Sequence, residues 1–184
     1  VNAPLYTLLA EEKCLEAGVN IRYYETPTKI EFKNGKWEVE TVGKGTKTQI
    51  TCNQVIDCTG NALIASMAGF DVLREADTQP GSLVYRIGGY DYDSLDLTKI
   101  PKQYHRYLRQ SMLQSQTRTG REHTFVPYGY VYVPGADSTT SELHTEANQQ
   151  GRATLLKLLR ELRTFPGCEN VRIMDLKTET AVRE

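Results

Sequence analysis

The apolar residues Leu5, Leu8, Leu9 and Leu15 recur at helical spacing across residues 2–17, with Asn2 as a cap, Pro4 in the first turn and Gly18 just past the end. That spacing predicts a helix. Residues 19–26 are rich in strand formers, Val19, Ile21, Tyr23 and Tyr24, and Pro27 stops the run, so a strand is expected next. Residues 28–33 and 36–42 then flank Asn34 and Gly35. Both of those tolerate positive φ, which makes the pair a strong signal for a type I′ hairpin. In the return strand Trp37, Val39 and Thr41 alternate with Lys36, Glu38 and Glu40. Gly43 and Gly45 offer a second turn, after which residues 46–51 complete an antiparallel meander. A short buried strand over residues 55–58 is expected to follow, ending abruptly at Thr59 and Gly60.

Beyond Gly60 the pattern changes. A short apolar helix is expected over residues 62–68, closed by Gly69, and residues 74–81 read as polar and irregular, which sets a boundary between domains 1–73 and 74–184. The second domain reads as a strand (83–87), a helix (101–114), one or two strands within 123–133, a long helix (145–163) and a strand (171–176). Leu155, Leu158, Leu159 and Leu162 keep helical spacing in the long helix, and Pro166 and Gly167 end it. Its Arg152, Lys157, Arg160 and Arg163 are expected on the wet side. The fold class is therefore α/β in the broad sense, an α+β chain with an antiparallel meander plus a mixed sheet covered by helices on one face. Tyr128, Tyr130 and Tyr132 share one face of a strand by period-two spacing. Packing against the long helix is the expectation for them, with an aromatic pocket wall as the alternative.

Composition narrows the partners. With 22 Lys+Arg against 23 Asp+Glu, giving a net charge of −1, there is no broad basic field to draw nucleic acid or anionic lipid. A small molecule or a protein is the favoured partner. Cys14, Cys52, Cys58 and Cys168 form no CxxC pair and the three histidines are dispersed, so no metal site is spelled out. The four cysteines are expected to be free thiols acting as small buried hydrophobes. No apolar run approaches the roughly 20 residues a membrane span needs, and the expectation is a soluble domain, with a cytoplasmic setting favoured and the compartment left open.

The run from Ile50 through Val55, Ile56, Asp57, Cys58 and Thr59 to Gly60 resembles the second flavin-contacting motif of FAD-dependent oxidoreductases with a glutathione-reductase-like fold. There a meander leads into a strand ending in Thr-Gly, where a glycine lets the backbone approach the cofactor closely. Later stretches are similar to the branch distantly akin to fumarate reductase flavoproteins: residues 79–89 around Pro80, Gly81 and Arg86; residues 137–141; Gly151 with Arg152; residues 166–169; and residues 180–184 with Val182 and Arg183. The resemblance covers nearly the whole chain.

It implies FAD as cofactor and a small-molecule substrate. The family's GxGxxG loop, whose following helix holds the pyrophosphate, has no counterpart here, since neither Gly43 and Gly45 nor Gly88 and Gly89 keep the spacing. The chain is accordingly expected to be an inactive internal piece of a longer flavoprotein. Its partners would then include the N-terminal and C-terminal parts of the same polypeptide. Implied cofactor contacts are Thr28, Asp57, Thr59, Gly60 and Asn61; relatives often place Asp at the position of Asn61. For Asp57 the alternative is a cap on a local turn.

Catalytic candidates are Arg86, His123 and Arg183. Arg86, on an otherwise apolar strand, has the fork to hold a substrate carboxylate, and an exposed strand arginine is the plainer alternative. His123 has the chemistry of an acid or base near neutral pH, as does His144. Two other functions fit the same pattern: a non-catalytic α+β module that binds a ligand or protein, and an FAD monooxygenase.

Overall fold

The structure, a computed structural model, describes residues 3–73, 78–110 and 128–182. The chain divides into two compact units, Val1–Arg74 and Glu75–Glu184.

In the first unit α1 (Ala3–Glu16) ends in a Schellman motif: Gly18, at φ 73, donates its N–H to the Leu15 carbonyl while Val19 donates to Cys14. The leucine stripe that predicted this helix is exposed, with Leu8 at 67%. Of the strand expected over residues 19–26 only Glu25 and Thr26 are extended and paired, as the start of the next strand; residues 19–24 form none. Its strand formers find no ladder partner among the described residues, and Tyr24 turns to φ 59. Propensity alone does not hold a strand without a neighbour to take its hydrogen bonds.

The meander forms as β1 (Glu25–Lys33), β2 (Lys36–Gly43) and β3 (Thr46–Cys52), antiparallel in the order β1-β2-β3. Lys33 pairs with Lys36 across Asn34 and Gly35, both at positive φ. Phe32 and Trp37 face each other with ring centroids 5.0 Å apart, an arrangement that aromatic cross-strand pairs favour. The register slips between Pro27 and Lys29. Proline has no N–H to give the ladder, so a bulge is where it fits, and Thr28 sits at that bulge. The expected strand over residues 55–58 is a second correction. These residues are irregular, Ile56 is 85% exposed and Cys58 is exposed, because no neighbouring strand pairs with them among the described residues. They do follow the meander directly. A short α2 (Leu63–Met67), closed by Gly69, packs against β1.

The second unit contains β4 (Gly81–Gly88), α3 (Lys102–Gln110), β5 (Gly129–Val133), α4 (Ser141–Leu162) and β6 (Arg172–Leu176). Its sheet runs β5-β4-β6 and is antiparallel at both pairings rather than mixed. The reason lies in the crossover: α4 joins β5 to β6, which run parallel to each other, but β4 lies between them and opposes both. Strand β4 alternates buried and half-buried positions along its whole length. Its buried set, Leu83, Tyr85 and Ile87, packs with Val131 of β5 against Leu155, Leu158, Leu159 and Leu162 of α4. Helix α4 starts at Ser141, four residues earlier than the apolar pattern shows, because the Thr140 hydroxyl accepts from the Leu143 N–H as an N-cap. Gly151 lets this helix close on the sheet: an added Cβ would stand 2.9 Å from Thr180 Oγ1 and 3.2 Å from both Leu83 and Val133.

Two smaller expectations change. Arg152 donates to the Thr178 carbonyl at 2.8 Å and Arg163 to that of Val171 at 2.7 Å, so these helix arginines tie down neighbouring chain as well as facing water. All four cysteines are free, but Cys168 alone is buried.

Candidate functional site

The turn after the meander is built by Asp57. One carboxylate oxygen accepts from the Thr59 N–H (2.9 Å) and the Thr59 hydroxyl (2.6 Å), and the other accepts from the Ala65 N–H (3.0 Å). Thr59 Oγ1 in turn accepts from the Leu63 N–H at 3.0 Å. The first amides of α2 would otherwise lack partners, since Ala62 at its N-cap position offers no side-chain acceptor. Asp57 and Thr59 supply what Ala62 cannot. The two readings weighed for Asp57 thus divide, and its carboxylate is spent on shaping the turn. The Thr59 hydroxyl, with the Thr59, Ala65 and Ile64 amides behind it, holds the Asp57 carboxyl below its ordinary value of 3.8.

Gly60 is the open point of this turn. It sits at φ +83, it is exposed, and a Cβ added to it would meet no atom within 4 Å. No contact among the described residues requires its lack of a side chain; the positive φ is what glycine suits here. Asn61 follows it, also exposed. Thr28 lies on the strand that α2 packs against, its hydroxyl donating to Glu40 Oε1 at 3.1 Å. The turn carrying Asp57, Thr59, Gly60 and Asn61 and the bulge carrying Thr28 therefore belong to one unit. The Asp57 carboxylate and the Thr59 hydroxyl are engaged within the turn, so what it presents outward is main-chain groups and the Asn61 amide.

A prediction follows from Asp57. A carboxyl whose folded value is depressed favours the folded turn above its ordinary pKa, and that contribution disappears as the pH falls below 3.8 towards the lower folded value. Asp57→Asn removes the charge at every pH. In both cases hydrogen-exchange protection of the Thr59 and Ala65 amides is expected to drop, with Trp37 fluorescence reporting an intact meander. Unchanged protection in the variant would show that the turn holds without this carboxylate.

Arg86 lies in the second unit, on the face of β4 turned away from α4. It is half-buried, not a plain exposed strand arginine, and its Nε is buried without a hydrogen-bond partner among the described residues. Asp175, its ladder partner on β6, accepts instead from the Tyr128 hydroxyl at 2.9 Å. That bond holds the Tyr128 phenol above its ordinary range.

The tyrosines are a further correction. Val131 and Val133 take the buried positions of β5, leaving Tyr130 half-buried and Tyr132 exposed on the opposite face from α4. The smaller branched side chains fit under the helix and the phenols remain outside it. Tyr130 and Tyr132 stack edge to face at 5.1 Å, with their hydroxyls 3.4 Å apart. Arg106 of α3 places its guanidinium 5.7 Å from the Tyr132 ring centroid and 4.4 Å from that of Tyr107, and Lys177 Nζ lies 5.1 Å from that of Tyr128. Pro80, Ser82, Val84, Tyr130, Tyr132 and Ala181 line a cleft of about 550 Å³ on this face.

His123 and Arg183 lie outside the described residues. His144 stands 3.8 Å from Glu179, an ion pair when the imidazole is protonated. Asp175, Lys177 and Arg106 were not singled out in the sequence. Tyr128 and Asp175 are 47 positions apart, and the one signal available was that a strand closing the sheet beside Arg86 had to present alternate residues to it.

Among the described residues no helix is long and apolar enough to cross a membrane. A family model described as FAD dependent oxidoreductase matches residues 2–184. No curated protein and no solved structure matches the chain.

Proposed function

The chain belongs to the FAD-dependent oxidoreductase family, and from that membership we propose that the polypeptide carrying it moves a hydride between a small-molecule substrate and FAD. The bound flavin supplies the two-electron chemistry, while the protein supplies orientation and electrostatics. Residues 1–73 contribute a cofactor contact in which the Gly60 main chain comes close to the dinucleotide. Asp57 and Thr59 act as positioning residues that hold this turn open, and Asn61 and the bulge at Thr28 offer further polar groups beside it. Residues 74–184 form the substrate domain, with Arg86 orienting the substrate. Residues 1–184 by themselves are inactive in this reading, because the pyrophosphate cradle is supplied elsewhere in the polypeptide.

The observation that carries the reading is the family match over residues 2–184. The solvent-open glycine at φ +83 directly after the meander supports it. The test is the visible spectrum of the whole polypeptide, purified and then incubated with FAD. A flavin spectrum with one FAD per chain, bleached by a reductant, is the expected result. Absence of bound flavin after incubation would overturn the proposal, and tight one-to-one FAD binding by residues 1–184 alone would overturn the statement that the main anchor lies elsewhere.

A further inference from the structure

The sheet face turned away from α4 carries an imbalance of charge. Three rows cross it. Arg86 stands between Asp175 and, by continuation of the ladder, Tyr128; Val84 stands between Tyr130 and Lys177; Ser82 stands between Tyr132 and Ala181. Strands β4, β5 and β6 contribute one carboxylate to this region, Asp175, and the Tyr128 hydroxyl has taken it. Against it stand Arg86, Lys177 and, from α3, Arg106. Such a surplus attracts an anion.

The surplus is also unevenly bound. Lys177 and Arg106 lie over aromatic rings, which satisfy part of their charge. Among the described residues Arg86 has no such ring partner and its buried Nε–H has no acceptor, an arrangement that protein interiors rarely tolerate without a purpose. Two positions along the same face of the strand, the cleft of about 550 Å³ opens over Val84, Tyr130 and Tyr132. That volume lies within the range of small-molecule sites, and its walls combine apolar and aromatic surface with the polar groups of Gln79, Ser82 and the two phenols.

The geometry points to a binding site for a small organic acid with a flat apolar body: its carboxylate meets the Arg86 guanidinium, and its body lies against Tyr130 and Tyr132. A change of Arg86 rotamer, of the kind that commonly accompanies binding, turns the Nε and Nη edge towards the cleft, and the planar fork then matches a carboxylate with two parallel hydrogen bonds. Lys177 and Arg106 add attraction from either side. The assignment rests on the oxidoreductase reading in one respect, that this acid is the molecule oxidised or reduced. The binding itself needs no flavin.

Benzoate is the probe. It is titrated into the 184-residue chain with labelled tyrosines, followed by NMR. Saturable shifts of the Tyr130 and Tyr132 rings are expected, with benzamide, the same shape without the charge, binding about tenfold or more weakly. Arg86→Gln should weaken benzoate by a similar factor, and Arg86→Lys should recover part of the loss because it keeps the charge but not the fork. Benzamide binding as tightly as benzoate, or ring shifts absent at high benzoate, would overturn the assignment. The comparison of the two probes uses the unaltered chain, so a variant that fails to fold does not leave the question open. If benzoate is discriminated while the whole polypeptide holds no flavin, the oxidoreductase reading fails and the anion site stands. A flavin-bearing protein indifferent to benzoate gives the reverse.

Discussion

Replacing Gly89 by alanine is expected to destabilise the second unit by about 3 kcal/mol or more. The residue sits just past the end of β4 at φ +90, where an L side chain is strained whatever the space. Space is also lacking. An added Cβ would stand 2.1 Å from the Asn170 carbonyl oxygen and 3.0 Å from its carbon, with Arg172 Nη1 at 3.2 Å. A side chain swings aside at modest cost, whereas this obstacle is backbone in the segment that leads into β6. Relief of the clash must move β6 away from β4, whose pairing ends at Gly88 and Arg172. Denaturant unfolding followed by far-UV circular dichroism, to which the 22-residue α4 is a large contributor, reads the effect as a lower midpoint. An unchanged midpoint would show that the loop before β6 gives way freely. Gly60 has a similar φ but no such obstruction, so packing inside its own unit demands glycine at position 89 and not at position 60.

The elements legible in the sequence are those whose signals are local. Asn34 and Gly35 fix a hairpin wherever alternating strands flank them, because two adjacent positive φ values permit little else. The leucines of α4 fix a helix because their spacing leaves one face apolar, and only its start was misplaced, the Thr140 cap lying outside the apolar pattern. The two strands that failed, over residues 19–26 and 55–58, failed for a common reason. Strand formers describe a side chain suited to a pleated surface, but a strand exists only beside another, and among the described residues no neighbour pairs with residues 19–24 or with residues 55–58. The Thr-Gly turn was legible as a place and not as a mechanism. That Asp57 and Thr59 would both be consumed in satisfying the first amides of α2 depended on Ala62 being unable to do so. The tyrosine face shows the same limit from the other side. Period-two spacing put Tyr130 and Tyr132 on one face, while the competition with Val131 and Val133 for the space under α4 decided which.

Leu155→Ala is expected to cost the second unit about 2–5 kcal/mol, the range for truncating a buried leucine, and to fall in its upper half. Leu155 is 2% exposed and belongs to the cluster formed with Leu83, Tyr85, Ile87 and Val131. The loss has two parts, the transfer of the removed carbons and the void they leave, and the second depends on how far the surroundings collapse. Here collapse is obstructed. One turn earlier, Gly151 already brings α4 as close to β4 and β5 as their side chains allow, with no room even for a methyl group beside Leu83, Val133 and Thr180. The helix cannot sink further into the sheet at that point, so the space vacated by Leu155 stays largely open. Denaturant unfolding followed through the helix signal should show a lower midpoint with an unchanged slope, the signature of lost stability in an otherwise similar native state. Trp37 lies on β2 of the first unit, so its fluorescence gives a separate reading of the meander. A loss below about 1 kcal/mol would mean that α4 does settle into the gap, and the closest approach at Gly151 would then not be what sets the distance between this helix and the sheet bearing Arg86 on its other face.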